Sequence, residues 1–194
     1  MVTMTTYVAF LRGVNLGPRR KVSMARLAEL ARELGHEDVW TWVNSGNLVL
    51  STHEAPAEVE AALAAALERE LGVRVDVTVR SAAELVALLG RNPFPDAPSQ
   101  AVTVSFLLAP APGGAADRLA AVATEAEPFV VAAREVWVRF GDGQARSRLA
   151  VGLSAALGVS ATTRTLGTVS RIAAKIAAQA RPGPQVPGAA AARP

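Results

Sequence analysis

The residues best suited to chemistry in this chain fall in three short polar clusters set in an Ala-, Val- and Leu-rich background. The first holds Arg12, Asn15 and Lys21, the second Asn44, Ser45 and Asn47, and the third Arg164. Their sequence contexts are Leu11-Arg12-Gly13-Val14-Asn15-Leu16-Gly17, Asn44-Ser45-Gly46-Asn47 and Thr162-Thr163-Arg164. Cations beside amide and hydroxyl donors suit recognition of a phosphate or carboxylate, because hydrogen bonds gain strength when donor and acceptor are charged. A purely structural account competes with this. Gly13, Gly17 and Gly46 supply positive φ, and Asn side chains bond their own turns. A turn needs no cation, so Arg12 and Lys21 favour the ligand or partner account, although either could pair with a surface acid for about 0–1 kcal/mol.

Other chemistries find little support. Gly13, Gly17 and Lys21 do not meet the Gly-x-x-x-x-Gly-Lys-Ser/Thr spacing of a phosphate-binding P-loop. The chain has no cysteine, which excludes disulfides, thiolate metal sites and thiol nucleophiles. His36 and His53 lack ligand-spaced acidic or histidine partners and read as surface residues. Ser45 has neither histidine at its end of the fold, which argues against a hydrolytic triad. No metal and no cofactor is expected.

The 194 residues, 51% of them hydrophobic, suffice for one large or two small units. Net charge is only +3, but it is unevenly placed. From Gly141 onward Arg146, Arg148, Arg164, Arg171, Lys175, Arg181 and Arg193 face the single acid Asp142. That asymmetry permits an anionic partner, nucleic acid included. The N-terminus enters a strand pattern directly, without an export signal, and the absence of cysteine fits the cytoplasm. The uncharged stretch between Asp96 and Asp117 is broken by Pro98, Pro110, Pro112, Gly113 and Gly114, so no membrane association is expected.

Hydrophobic periodicity supplies the elements that must position these residues. Tyr7 to Arg12 reads as a strand, and a helix capped by Ser23 carries Leu27, Leu30, Ala31 and Leu34 on one face before Gly35. Val22 and Leu27 occupy staple positions around that cap. Val39 to Val43 and Leu48 to Leu50 form a hairpin about Asn-Ser-Gly-Asn. A helix from Pro56 to Leu71 and an alternating strand from Val73 to Arg80 complete the order β-α-β-β-α-β, the ferredoxin-like plait. Ser81 and Glu84 make a capping box for a connecting helix that ends at Gly90.

The element order then nearly repeats without visible repetition of residues. Val102 to Leu108 is a strand, Ala116 to Ala126 a helix, Phe129 to Ala132 with Glu135 to Phe140 a hairpin, and Ser147 to Leu157 a helix. A short strand at Ala161 to Arg164 precedes a last helix from Leu166 to about Gln179, which Thr165 could cap. The expected fold is therefore α+β: a ferredoxin-like subdomain over 1–80, a connecting helix and Pro-rich linker over 81–100, and a second ferredoxin-like subdomain with an extra C-terminal helix over 101–180. Residues 181–194 are expected to be a disordered tail.

In such a plait the first and third strands are adjacent and antiparallel. Arg12 and Asn15 should then neighbour Asn44, Ser45 and Asn47, with the start of the first helix and Lys21 at the same edge, a reasonable anion site. The third cluster has no assigned place. RNA recognition in the manner of aromatic-bearing plaits is not supported. Tyr7 and Phe10 lie on opposite strand faces, and Trp40 with Trp42 sits on an edge strand that the second half could cover.

The ordered set of clusters resembles a bacterial family catalogued as domain of unknown function 1697. Leu-Arg-Gly-Val-Asn, Lys21-Val22, Asn-Ser-Gly-Asn, Asn92-Pro93-Phe94 and Thr-Thr-Arg carry the resemblance from about Tyr7 to Ile176. It implies two ferredoxin-like subdomains and supplies no activity, cofactor or catalytic residue. The chain departs from the family pattern in two places: Thr165-Leu166 stands where Asn-Trp is common, and Leu16-Gly17-Pro18 replaces a double-glycine loop. Three functional readings follow. The first is a small anionic ligand or acidic partner at the edge formed by the first loop and the Asn-Ser-Gly-Asn turn. The second is an enzyme that clamps phosphate or carboxylate through Arg12 or Arg164. The third is sequence-independent nucleic-acid binding through Arg146, Arg148, Arg164, Arg171 and Lys175. Oligomeric state is not readable.

Overall fold

A computed structural model of the chain describes residues 3–15, 20–141, 143–144 and 147–180. Leu16 to Pro18, Arg146 and the tail from 181, to which the sequence assigns expectations, lie outside the described residues.

The first half runs β1 (Thr5–Leu11), α1 (Met24–Glu33), β2 (Glu37–Thr41), β3 (Asn47–Thr52), α2 (Pro56–Leu71) and β4 (Val77–Ser81). Its four strands form a sheet in the order β2-β3-β1-β4, with every neighbour antiparallel. The connecting helix α3 (Ala82–Gly90) leads to β5 (Val102–Leu107), α4 (Ala115–Ala120), β6 (Phe129–Val131), β7 (Glu135–Arg139), α5 (Arg148–Leu157) and β8 (Ala161–Thr165). These strands form a second antiparallel sheet in the order β6-β7-β5-β8, and α6 (Leu166–Ala180) closes the chain. The molecule is a mixed α+β structure with two four-stranded sheets and six helices among the described residues.

Local signals account for most element boundaries. Ser23 accepts from the Arg26 amide at 3.0 Å, and Val22 and Leu27 are both buried beside that cap, which fixes the entry angle of α1. Ser81 and Glu84 bond reciprocally at 2.7 and 3.1 Å to start α3. Gly72 and Gly158 end α2 and α5 in the left-handed conformation. Two elements are shorter than their apolar patterns suggest. Helix α4 stops at Ala120 because Glu127 folds back onto the amide and hydroxyl of Thr124 at 3.0 and 3.1 Å, stabilising a turn in place of further helix. Strand β4 begins only at Val77, since β1 ends at Leu11 and leaves Val73 to Val75 no partner along the sheet.

Alternation along each strand sorts the side chains into three cores. Tyr7, Ala9 and Leu11 join α1 and α2 on one face of the first sheet, while Leu107, Val136 and Val138 join α4 and α5 on one face of the second. The remaining faces meet each other. Val8, Phe10 and Val49 pack with Val104, Phe106 and Trp137, with Leu85 and Leu88 of α3, and with Val169 and Ile172 of α6. Phe10 and Phe106 stack with centroids 4.2 Å apart and planes 6° from parallel. Trp40 and Trp42 are covered by this middle core, and Lys175 of α6 lies 4.2 Å from the Trp40 ring.

Beyond the element order that the sequence shows, the strand pairing aligns two short residue echoes between the halves. Phe10 pairs across the sheet with Asn47 and Thr78, and Phe106 pairs with Glu135 and Thr162. Val8 opposite Arg80 likewise matches Val104 opposite Arg164. Phe-Leu at the end of the central strand and Thr-x-Arg on the edge strand therefore occur once in each half. Two-residue and three-residue echoes separated by variable loops are too short to register as a repeat until the strand pairing aligns them. His36 is a further correction: expected at the surface, it is only 4% exposed in the turn between α1 and β2.

Candidate functional site

The left-handed Gly46 brings the β2–β3 turn onto the end of β1, where the Leu11 amide donates to the Gly46 carbonyl at 2.9 Å. A Cβ at position 46 would collide with Val14 Cγ2 and Leu11 Cβ, so only glycine fits this approach. Asn15 ties the first loop to its surroundings. Its side-chain amide donates to the Asn44 carbonyl at 2.9 Å, and its oxygen accepts from the Val22 amide at 3.0 Å. The first two clusters are thus one edge, as the strand order requires, with Lys21 exposed beside them.

Arg164 brings the third cluster to the same place. From β8 its guanidinium crosses between the sheets and donates through Nε to Asn47 Oδ1 at 2.6 Å. Nη2 donates to the carbonyls of Leu11 at 3.0 Å and Gly46 at 3.1 Å, and the group lies 5.8 Å from the Phe10 ring. Burial lowers its pKa to about 10, which still leaves it cationic at neutral pH. Asn47 is fully buried and also donates to the Trp42 carbonyl and Ser45 Oγ, at 2.9 and 3.0 Å.

Two hollows open along this edge. One, of about 550 Å³, is lined by Asn15, Lys21, Val22, Ser23, Met24 and Asn44. The other, of about 370 Å³, shares Asn15 and Asn44 with the first and adds Gly13, Val43, Ser45 and Arg164. Volumes of this size accommodate small molecules. The backbone lining the smaller hollow is strained at one residue. Asn15 and Val43 hold φ at 59° and 50°, and Val43 is a β-branched residue with 54% of its surface exposed. A β-branched side chain in the left-handed region is a steric outlier, and such strain concentrates at functional sites.

Arg12, grouped with these residues by sequence, lines neither hollow. It turns toward Asp76, with an N–O separation of 3.6 Å, and Asp76 in turn accepts from Ser160 Oγ at 2.6 Å. The basic residues named for nucleic-acid binding do not all face solvent. Arg164 is directed into carbonyls and Lys175 over the tryptophans, while Arg148 and Arg171 remain exposed.

Sequence reasoning missed Arg80, the counterpart of Arg164. Arg80 is 2% exposed, lies 5.7 Å from the Phe106 ring and donates to the carbonyls of Leu107 and Arg134 at 3.1 and 3.0 Å. Its Nε donates to Glu135 at 3.3 Å, the position that Asn47 holds in the first half. The recurrence of Thr-x-Arg before a capped helix was the available signal. Among the described residues no group of three or more His, Cys, Asp or Glu side chains could hold a metal, and no helix is long and apolar enough to cross a membrane.

A family model described as a protein of unknown function, DUF1697, matches residues 4–137. The chain belongs to this family. The match spans the first two clusters and the Asn92-Pro93-Phe94 segment, and it stops before Arg164. DUF1697 membership carries no assigned activity. No curated protein matches. Among solved structures, the conserved bacterial protein SP0830 from Streptococcus pneumoniae is similar, with a TM-score of 0.65 and 20% identity over 89% of this chain and 98% of that one. At that identity the likeness concerns the fold.

Proposed function

We propose that this protein binds a small ligand bearing a phosphate or carboxylate at the edge built from the first loop, the Asn-Ser-Gly-Asn turn and the start of α1. The observation that carries this reading is the pair of adjoining hollows whose shared rim holds Asn15 and whose second wall holds the strained, exposed Val43. Asn44 and Asn15 engage each other, yet both still line the hollows, and Lys21 supplies an exposed charge at the mouth of the larger one. Each half is read as a ferredoxin-like plait, supported by the order β-α-β-β-α-β and the strand sequence 2-3-1-4 with both α1 and α2 on one face. The corresponding units are 1–80 and 101–180, joined by 81–100.

Thermal denaturation in phosphate, sulfate and small carboxylates tests this reading. A bound anion raises Tm in proportion to the logarithm of its concentration above Kd. Lys21→Ala, which changes an exposed side chain, is expected to weaken the response several-fold without lowering the anion-free Tm. An unchanged Tm of the wild-type protein across the whole panel would overturn the assignment.

A further inference from the structure

The two halves place equivalent arginines between the sheets, Arg80 fully buried and Arg164 partly exposed, but compensate them differently. Arg80 and Arg164 occupy the same position opposite the central strands, each beside a phenylalanine and each donating to the carbonyls at the end of the other half's central strand and hairpin. In the second half the residue opposite Phe106 is Glu135, whose carboxylate lies 3.3 Å from Arg80 Nε. In the first half the residue opposite Phe10 is Asn47, which matches the hydrogen bond to Arg164 but not the charge. Among the described residues no carboxylate lies within 4 Å of Arg164, and the hollow that it lines holds no acidic side chain.

Carbonyl dipoles satisfy the donors of a guanidinium without neutralising it, and a cation removed from water gains most from an opposite charge placed nearby. Arg80 is sealed in with its carboxylate, whereas Arg164 faces a hollow of about 370 Å³ open to solvent. We infer that Arg164 is the charge-recognition residue of the ligand site: an oxyanion of the ligand occupies the hollow between Val43, Ser45 and Arg164 and supplies the negative charge that Glu135 supplies to Arg80. This rests on the reading of the edge as an anion site and adds which cation sets its specificity. The exposed Val43 offers an apolar shelf for the carbon part of the ligand, so a small organic phosphate or carboxylate should bind more tightly than the inorganic ion.

Replacing Arg164 would disrupt carbonyl bonds that join the two halves, so the test leaves it in place. Val43→Asp sets a tethered carboxylate at the wall of the hollow, and Val43→Asn makes the same change in size and backbone preference without charge. Both residues tolerate positive φ better than valine. Phosphate and malonate are titrated separately into both variants and followed by Tm, which separates the two oxyanion types. The expected result is affinity at least about tenfold weaker in Val43→Asp than in Val43→Asn, from the like charge beside the bound anion. In the wild-type protein the Nε–H resonance of Arg164 should shift with saturation by whichever ion binds. Equal affinities in the two variants, or an Arg164 resonance that stays fixed while the amides of Asn15 and Lys21 move, would overturn the role of Arg164 and leave the anion site standing. No response in any amide or in Tm would remove both.

Discussion

His36 shows how far one residue can depart from its sequence context. Both of its ring nitrogens are buried without a hydrogen-bond partner among the described residues, and burial lowers its pKa below the ordinary histidine value, with Glu54 opposing the shift. The unfolded chain therefore takes up a proton first as pH falls. Stability from this group is complete above the unfolded pKa of about 6.5 and declines as pH drops below it. Urea unfolding between pH 8 and pH 5 is expected to show that decline, and His36→Gln is expected to flatten it. An equal pH slope in both proteins would assign the effect to other groups. At this scale the sequence disclosed the caps Ser23 and Ser81, whose roles depend on near neighbours in the chain. It misplaced His36, which is 4% exposed although its neighbours Gly35 and Glu37 read as surface. Arg12 was grouped with the site by adjacency, but its side chain turns to Asp76.

At the scale of elements, β4 and β8 do more than complete their sheets. Each sends an arginine across the middle core to the far end of the other half, so each edge strand acts as a clamp on the opposite hairpin. Arg80→Ala would strand Glu135 and take from the Leu107 carbonyl the donor that Arg80 supplies, while the Arg134 carbonyl keeps the Leu107 amide. Losing one partner of a buried pair costs about 3–5 kcal/mol, far above the ~0–1 kcal/mol of an exposed pair. Denaturant unfolding should show a loss in that range, partly recovered by a further Glu135→Leu change that removes the orphaned carboxylate. A loss below about 1 kcal/mol would mean that the carbonyls and water compensate. The strands and helices were legible because period-2 and period-3.6 patterns are local. The length of α4 was not, because a single hydrogen-bonded turn at Thr124 and Glu127 outweighed a permissive run of alanines.

At the scale of the molecule, the middle core makes the halves interdependent. Separated, the first would expose Val8, Phe10 and Val49 and the second Val104, Phe106 and Trp137, along with the faces of α3 and α6 that cover them. Calorimetry is expected to show a single unfolding transition whose measured enthalpy equals the van't Hoff enthalpy. Two resolved transitions would show that the halves unfold independently. The sequence by itself determined the α+β class, the order of elements and the convergence of Asn15 with Asn44 to Asn47 at one sheet edge. These follow from local periodicity, turn chemistry and the antiparallel neighbouring of β1 and β3. Only the tertiary structure decided that the two sheets meet face to face, that Arg164 crosses between them to Asn47, and that among the described residues no carboxylate pairs with it as Glu135 pairs with Arg80. Strand alternation tells which residues share a face but not what covers that face. The partner of a cation more than a hundred residues away is fixed only when the two halves close on each other.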